Sequence, residues 1–201
     1  MPYTVNVSAG LVLAHGAGSN RNAPLLVAVD RALSPAGWIV ERIDLAFRLS
    51  RPHGPPRPAD AKADQNRLRE AIAALRAAGA APVFAGGHSY GGRQATMLAA
   101  EDESLVSALL VLCYPLHPPR RPEQSRTAHL RNLRVPTLFV HGSRDPFGSL
   151  EEMRAALELI PGRVRLLEFE GAGHELGGKS REGLAAIAER IAQGFVDFCG
   201  Q

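Results

Sequence analysis

The chain has 201 residues, 45% of them apolar and 21% charged, and a net charge of +3 from 23 Lys and Arg against 20 Asp and Glu. That length suits one domain, residues 1–201, with a sizeable core, and the composition excludes wholesale disorder. Two cysteines, Cys113 and Cys199, are too few for a disulfide scaffold and fit a reducing compartment.

Lys62 and Lys179 are the only lysines, so nearly all positive charge is guanidinium. The densest group, Arg120, Arg121, Arg126, Arg131 and Arg134, has no interleaved aromatics and belongs to no nucleic-acid-reading module. It reads as a solvated basic loop, and nucleic acid is not an expected partner. The opening MPYTVNVSAG lacks a basic stretch followed by an apolar one. The most apolar run, Leu105 to Leu116, is shorter than the roughly 18 residues a membrane span needs. No membrane partner is expected, and the expected location is cytoplasmic. Nothing in the sequence sets an oligomeric state.

In chain order, Gly10 to Ala14 is a short apolar strand stopped by His15-Gly16-Ala17-Gly18. Asn22 is placed to cap a helix through Ser34, with Pro24 near its start and Pro35-Ala-Gly37 ending it. Trp38 to Leu45 reads as a strand, and Arg48 to Pro58, with four prolines and Gly54, as irregular chain. Ala61 to Ala78 is helical, with Leu68, Ile72 and Leu75 on one face and Gly79 as its stop. A strand over Pro82 to Gly86 and a helix from Tyr90 to Ala100 follow.

Leu105 to Tyr114 is almost wholly apolar, as a strand covered on both faces should be. Pro115 to Pro122 is a loop, Val135 to His141 a buried strand and Leu150 to Leu159 a short helix. Val164 to Phe169 closes the strands, and Arg181 to Cys199 is a final amphipathic helix. Strands alternating with crossover helices predict an α/β three-layer sandwich around a mostly parallel sheet. No insertion is long enough for a cap domain.

The chemical signal is Gly87-His88-Ser89-Tyr90-Gly91 between an apolar strand and a helix, the setting of a nucleophile elbow. The competing structural reading is a helix-capping serine with glycine packing. Serine needs an adjacent base, and seven histidines compete for the role. His88 should point off the turn, while His53 and His129 read as surface residues. His141 reads as packing or bonding locally, and His117 as a possible cleft residue. His174, in the compact Gly171-Ala-Gly-His174-Glu loop after the last strand, is the candidate base.

Asp145, just past the Val135–His141 strand, is the orienting acid, with an Asx-turn role as its structural alternative. Neighbouring Glu175 is a poor substitute. Ser89, Asp145, His174 is the chain order of α/β-hydrolases. An oxyanion hole would use the N–H of Tyr90 and that of Ala17, with Gly18 the alternative to Ala17. Leu116, His117 and Phe147 each follow a strand and are expected to wall the substrate site. Neither H-E-x-x-H nor paired Cys/His spacing occurs, and no phosphate-binding glycine motif, so neither metal nor cofactor is expected.

The segments LVLAHGAGSN, FAGGHSYGGRQATMLA, LLVLCYPLHPP, PTLFVHGSRDPFG and FEGAGHELG resemble the α/β-hydrolase superfamily in a minimal, cap-less form, from Leu11 to Gly177. More narrowly the chain resembles the small bacterial hydrolase-like family grouped with testis-expressed and histone-acetyltransferase-complex relatives. More distantly it is similar to dienelactone hydrolases, which carry cysteine where this chain has Ser89. The resemblance implies Ser89 as nucleophile, Asp145 as acid, His174 as base and an oxyanion donor after His15-Gly16. The expected function is a cofactor-independent serine hydrolase of carboxylesterase type, cleaving a small-molecule ester or related acyl bond. The alternatives are a non-catalytic interaction protein that keeps the fold, or a thioesterase or peptidase using the same three residues.

Overall fold

The computed structural model describes residues 8–177 and 181–200. Six parallel strands form one sheet in the order β2-β1-β3-β4-β5-β6. They are β1 (Gly10–Ala14), β2 (Ile39–Ile43), β3 (Val83–His88), β4 (Leu109–Leu112), β5 (Thr137–Gly142) and β6 (Val164–Phe169). The connecting helices are α1 (Pro24–Leu33), α2 (Ala46–Ser50), α3 (Ala61–Ala77), α4 (Tyr90–Glu101), α5 (Leu150–Leu157) and α6 (Arg181–Cys199). No large cap is inserted between these elements among the described residues.

The period-2 alternation of the strands divides the core in two. Leu11, Leu13, Leu110 and Leu112 face α1 and α6, meeting Leu26, Val29, Ile191 and Phe195. Val12, Ala14, Leu109 and Val111 face the other way, onto Leu68 and Ile72 of α3, Ala95 and Leu98 of α4 and Met153 of α5. Two helical layers thus sandwich the sheet, and β1, β3, β4 and β5 are buried along their whole length. Edge strand β2 alternates exposed Ile39 and Glu41 with more buried positions, as a half-covered strand does.

Several local features differ from expectation. The α1 N-cap is Ala23, whose methyl group offers no acceptor, so no side-chain cap bond forms, and Pro24 occupies the first turn. Asn22 instead accepts from Arg42 Nη1 at 3.3 Å. The strand expected over Leu105 to Tyr114 is only Leu109–Leu112. Val106 and Ala108 are buried without joining the ladder, and Cys113, at φ 50°, turns the chain out of it. The proline-rich stretch contains the one-turn helix α2 before it becomes irregular.

The strand order reverses beside β1, so a crevice opens at the carboxyl ends of β1 and β3. Glycine makes this part of the sheet possible. A Cβ on Gly86 would overlap the Leu110 carbonyl of β4, and one on Gly87 the Ala14 carbonyl of β1. Gly86→Ala should therefore lower the unfolding free energy by more than about 2 kcal/mol in urea titrations. Gly18→Ala, whose Cβ would meet open space, should change it by less than about 0.5 kcal/mol.

Candidate active site

Four loops at the carboxyl edge of the sheet meet above β1 and β3. Ser89 occupies the one-residue turn between β3 and α4, at φ 51° and ψ −115°. Such a conformation costs a non-glycine residue about 1–3 kcal/mol and persists only where the surroundings over-determine it. Here they do, because α4 sits almost on the strand: a Cβ on Gly91 would lie 2.5 Å from the Ala14 carbonyl oxygen. The turn lifts Ser89 out of the sheet while leaving it 8% exposed.

Asp145 follows β5 in a turn closed by its own N–H onto the Gly142 carbonyl. Its Oδ1 accepts from the Phe147 N–H at 2.9 Å, so the Asx-turn role and the orienting role coexist in one carboxylate. His174 follows β6. Its loop lies against the end of β5, where Gly142 leaves room for the Ala172 carbonyl, and Arg144 N–H donates to that carbonyl at 2.9 Å. These contacts carry His174 back across the sheet to Asp145.

The three side chains form one line. His174 Nδ1–H donates to Asp145 Oδ2 at 2.8 Å, which fixes the tautomer because a carboxylate only accepts. His174 Nε2 is then the acceptor for the Ser89 hydroxyl, 2.8 Å away. Burial alone would raise the Asp145 pKa, but the hydrogen bond and charge of His174 and the Phe147 N–H outweigh it and hold the carboxyl below its ordinary value. Phe147 covers the imidazole, its ring centroid 4.2 Å from that of His174. Glu175 is exposed and takes no part in the line.

Of the remaining histidines, His53 is exposed as expected, and the others have structural partners. His88, contrary to expectation, does not point away from the site: it is 3% exposed, and its Nε2–H donates to the His174 carbonyl at 2.8 Å. It props the loop that carries His174. His129 is not a free surface residue either, because its Nε2 bonds Thr96 Oγ1 at 2.9 Å. His141 Nε2–H donates to the Gly148 carbonyl, and His15 Nδ1–H to the Gly16 carbonyl, both at 2.8 Å.

Beneath the line, Cys113 brings its thiol within 4.8 Å of donor atoms on His88 and His174, and likewise of His141 and Asp145. These are the groups that could hold a metal. His88 Nε2, His141 Nε2 and both His174 nitrogens are already hydrogen-bonded, as is Asp145, while His141 Nδ1 is buried without a partner, and burial pushes the Cys113 thiol pKa well up. The set reads as packing under the line.

A cavity of about 610 Å³ opens beside Ser89 and includes Ala17, Tyr90 and Phe147 in its wall. The N–H groups of Ala17 and Tyr90 have no acceptor among the described residues, so both are available. Each is held in place. Arg48 Nη2 donates to the Ala17 carbonyl at 2.9 Å and its Nε to the Ser19 carbonyl at 2.8 Å. The Tyr90 hydroxyl donates to Asp64 Oδ2 at 2.7 Å, and Asp64 also accepts from the Phe47 N–H.

Leu116 and His117 do not line this cavity. Leu116 packs in the core under Gly148, and His117 turns its ring to the Pro118 carbonyl and towards Glu152. The wall comes instead from Pro55, Pro56 and Pro58 and from Arg93, Gln94, Met97 and Arg126. Arg93 had a readable signal, lying one helical turn beyond Ser89 and so on the same face of α4. The prolines had none, since their loop folds back from a distant part of the chain.

A parallel sheet with helices on both faces, and Ser, Asp and His carried to one edge after β3, β5 and β6, defines the α/β-hydrolase class. A family model described as an alpha/beta hydrolase domain matches residues 7–199, and the chain belongs to that family. Among solved structures, dienelactone hydrolase from Anabaena variabilis is 25% identical with a TM-score of 0.74, over 96% of this chain and 88% of that one. Est1E from Butyrivibrio proteoclasticus, with ferulic acid bound, is 17% identical with a TM-score of 0.76, over 100% and 94%. An alpha-beta serine hydrolase homologue from Coxiella burnetii is 16% identical with a TM-score of 0.74, over 96% and 88%. Hydrolysis is the chemistry that the family membership carries. No helix among the described residues is long and apolar enough to cross a membrane.

Burial lowers the pKa of His15, His88, His141 and His129, the last to about 4 from an ordinary 6.5. The unfolded chain therefore binds protons that these folded imidazoles refuse, and stability falls as pH drops from about 6.5 towards 4. Asp145 adds its own loss only below the ordinary carboxylate range. Tm should fall by about 5 °C or more between pH 7.5 and pH 4.5 in thermal melts, and a flat profile would contradict the assignment of neutral buried histidines.

Proposed function

We propose that the protein is a serine hydrolase that cleaves an ester or related acyl bond of a small molecule, with residues 1–201 acting as one domain. The observation that carries this reading is the unbroken line Ser89–His174–Asp145, with both hydrogen bonds at 2.8 Å. In the reaction, Ser89 Oγ attacks the carbonyl carbon as its proton passes to His174 Nε2. Asp145 keeps Nδ1–H pointed at itself and stabilises the imidazolium that forms. The N–H groups of Ala17 and Tyr90 receive the negative oxygen. His174 then protonates the leaving group, and a water attacks the acyl-serine by the same steps in reverse order to release the acid and regenerate Ser89.

The likeness to a dienelactone hydrolase supports an ester as the scissile group. The motifs LVLAHGAG, GHSYGG and YPLHPP place the chain, in this reading, with the small bacterial hydrolase-like group rather than with cysteine-bearing dienelactone hydrolases. Arg48 serves as a positioning residue for Ala17 through its bonds to the Ala17 and Ser19 carbonyls.

A fluorophosphonate should label the folded chain at one site per molecule, and Ser89→Ala should abolish labelling. No labelling of folded protein at any pH from 6 to 9 would overturn the proposal and favour a non-catalytic role. Asp145→Asn should retain the fold while lowering kcat by about 10³-fold or more on any ester the protein turns over. Arg48→Met should lower kcat with little change in KM, since it loosens an oxyanion donor without touching substrate.

A further inference from the structure

Three arginines, Arg57, Arg93 and Arg126, line the cavity beside Ser89, and no acidic residue does. None of the three lies within ion-pair distance of an acidic group among the described residues. Arg126 belongs to the Arg120–Arg134 group expected to be solvated, but it departs from its neighbours. Arg120, Arg121, Arg131 and Arg134 are exposed, whereas Arg126 is half-buried and turned into the cavity wall.

The donors in this wall are under-used. Arg93 Nε is buried without a partner, and so is the amide nitrogen of Gln94, a residue with no exposed surface. Arg126 spends Nη1 on the Pro115 carbonyl at 3.3 Å. A buried donor left unmade costs about 1–3 kcal/mol, and more when it is charged.

The surroundings supply no countercharge. Burial pushes the pKa of the nearby Tyr114 hydroxyl up despite both guanidiniums, so it remains neutral. His129 is held neutral by burial and by the Arg93 charge. Burial first, and the Arg93 charge second, lower the pKa of Arg126 itself. A wall of clustered cations, with no acceptor side chain charged against it, is complementary to an oxyanion.

We propose that the substrate is an anionic ester carrying a free carboxylate, which Arg93 and Arg126 bind within the cavity while its ester carbonyl meets Ser89. The proposal rests on Ser89 as the nucleophile and adds to it the charge class of the substrate. Arg93 is suited to the task because it stands one turn after Ser89 on α4, so the carboxylate and the scissile carbonyl are held on one helix face. A planar carboxylate matches the edge of a guanidinium. Exposed Arg57, at the proline-rich rim, draws the anion towards the opening.

The test compares mono-4-nitrophenyl glutarate with neutral 4-nitrophenyl pentanoate, which has the same acyl chain length without the carboxylate. The kcat/KM ratio of the charged to the neutral ester should be about 10 or higher in the natural chain. It should fall towards 1 in Arg93→Gln and in Arg126→Gln, and stay unchanged in Arg121→Gln, which alters an exposed arginine of the same group. A ratio near 1 in the natural chain, or one that neither cavity variant moves, overturns the proposal while leaving Ser89-dependent turnover of both esters to support the hydrolase reading. Should neither ester turn over, calorimetric titration of Ser89→Ala protein with monomethyl glutarate decides. Binding weakened about tenfold by adding Arg126→Gln keeps the anion site and faults only the hydrolase reading. No binding, or binding indifferent to Arg126, overturns the site.

Discussion

The site depends on the contact between the end of β1 and the β3–α4 turn. The Ala14 carbonyl touches the positions of both Gly87 and Gly91, so strand and helix are pressed to a separation that admits no side chain at either. Held this tightly, the residue between them has no ordinary conformation available, and Ser89 is driven to φ 51°. The Tyr90 N–H at the start of α4 has no partner among the described residues. The arrangement of the proposed nucleophile thus follows from backbone packing, with the strain at Ser89 offset by the burial of two core faces.

The electrostatics are built on the same scaffold. One buried carboxylate, Asp145, sits among three imidazoles and a thiol, and of the imidazoles only His174 bonds it directly. His141 and His88 turn hydrogen bonds to backbone carbonyls at Gly148 and His174, and burial keeps both neutral. That leaves His174 as the one imidazole of the three hydrogen-bonded to both the carboxylate and the Ser89 hydroxyl. The cavity is arranged in the opposite sense, with unpaired arginines on the wall next to Ser89. A proton-accepting line and an anion-attracting wall therefore meet at one hydroxyl.

Much of this was legible in the sequence, and the reasons are physical. Buried parallel strands must be apolar on both faces, so Gly10–Ala14 and Val135–His141 stood out, the latter displaced from the observed Thr137–Gly142, and Val164–Phe169 and the amphipathic Arg181–Cys199 were read to the residue. Apolarity could not distinguish ladder from burial, which is why Val106 and Ala108 were counted into β4. Ser89, Asp145 and His174 were found because each follows a strand, and chain order then places them on one edge. Leu116 and His117 also follow a strand, but Cys113 turns the chain inward and carries Leu116 to the core. The inward turn of Arg126 was hidden because composition averages it with exposed neighbours, and its burial depends on α4 and on Tyr114, remote in sequence.

The central claim is that Ser89 Oγ carries the acyl group during turnover. Acid quenching within milliseconds of mixing with a 4-nitrophenyl ester, followed by intact-mass and peptide analysis, tests it most directly. The account predicts a mass increase of one acyl group on the peptide containing Ser89, formed together with a burst of nitrophenolate and absent in Ser89→Ala. Steady turnover with no adduct, or with the acyl group on another residue, would contradict it.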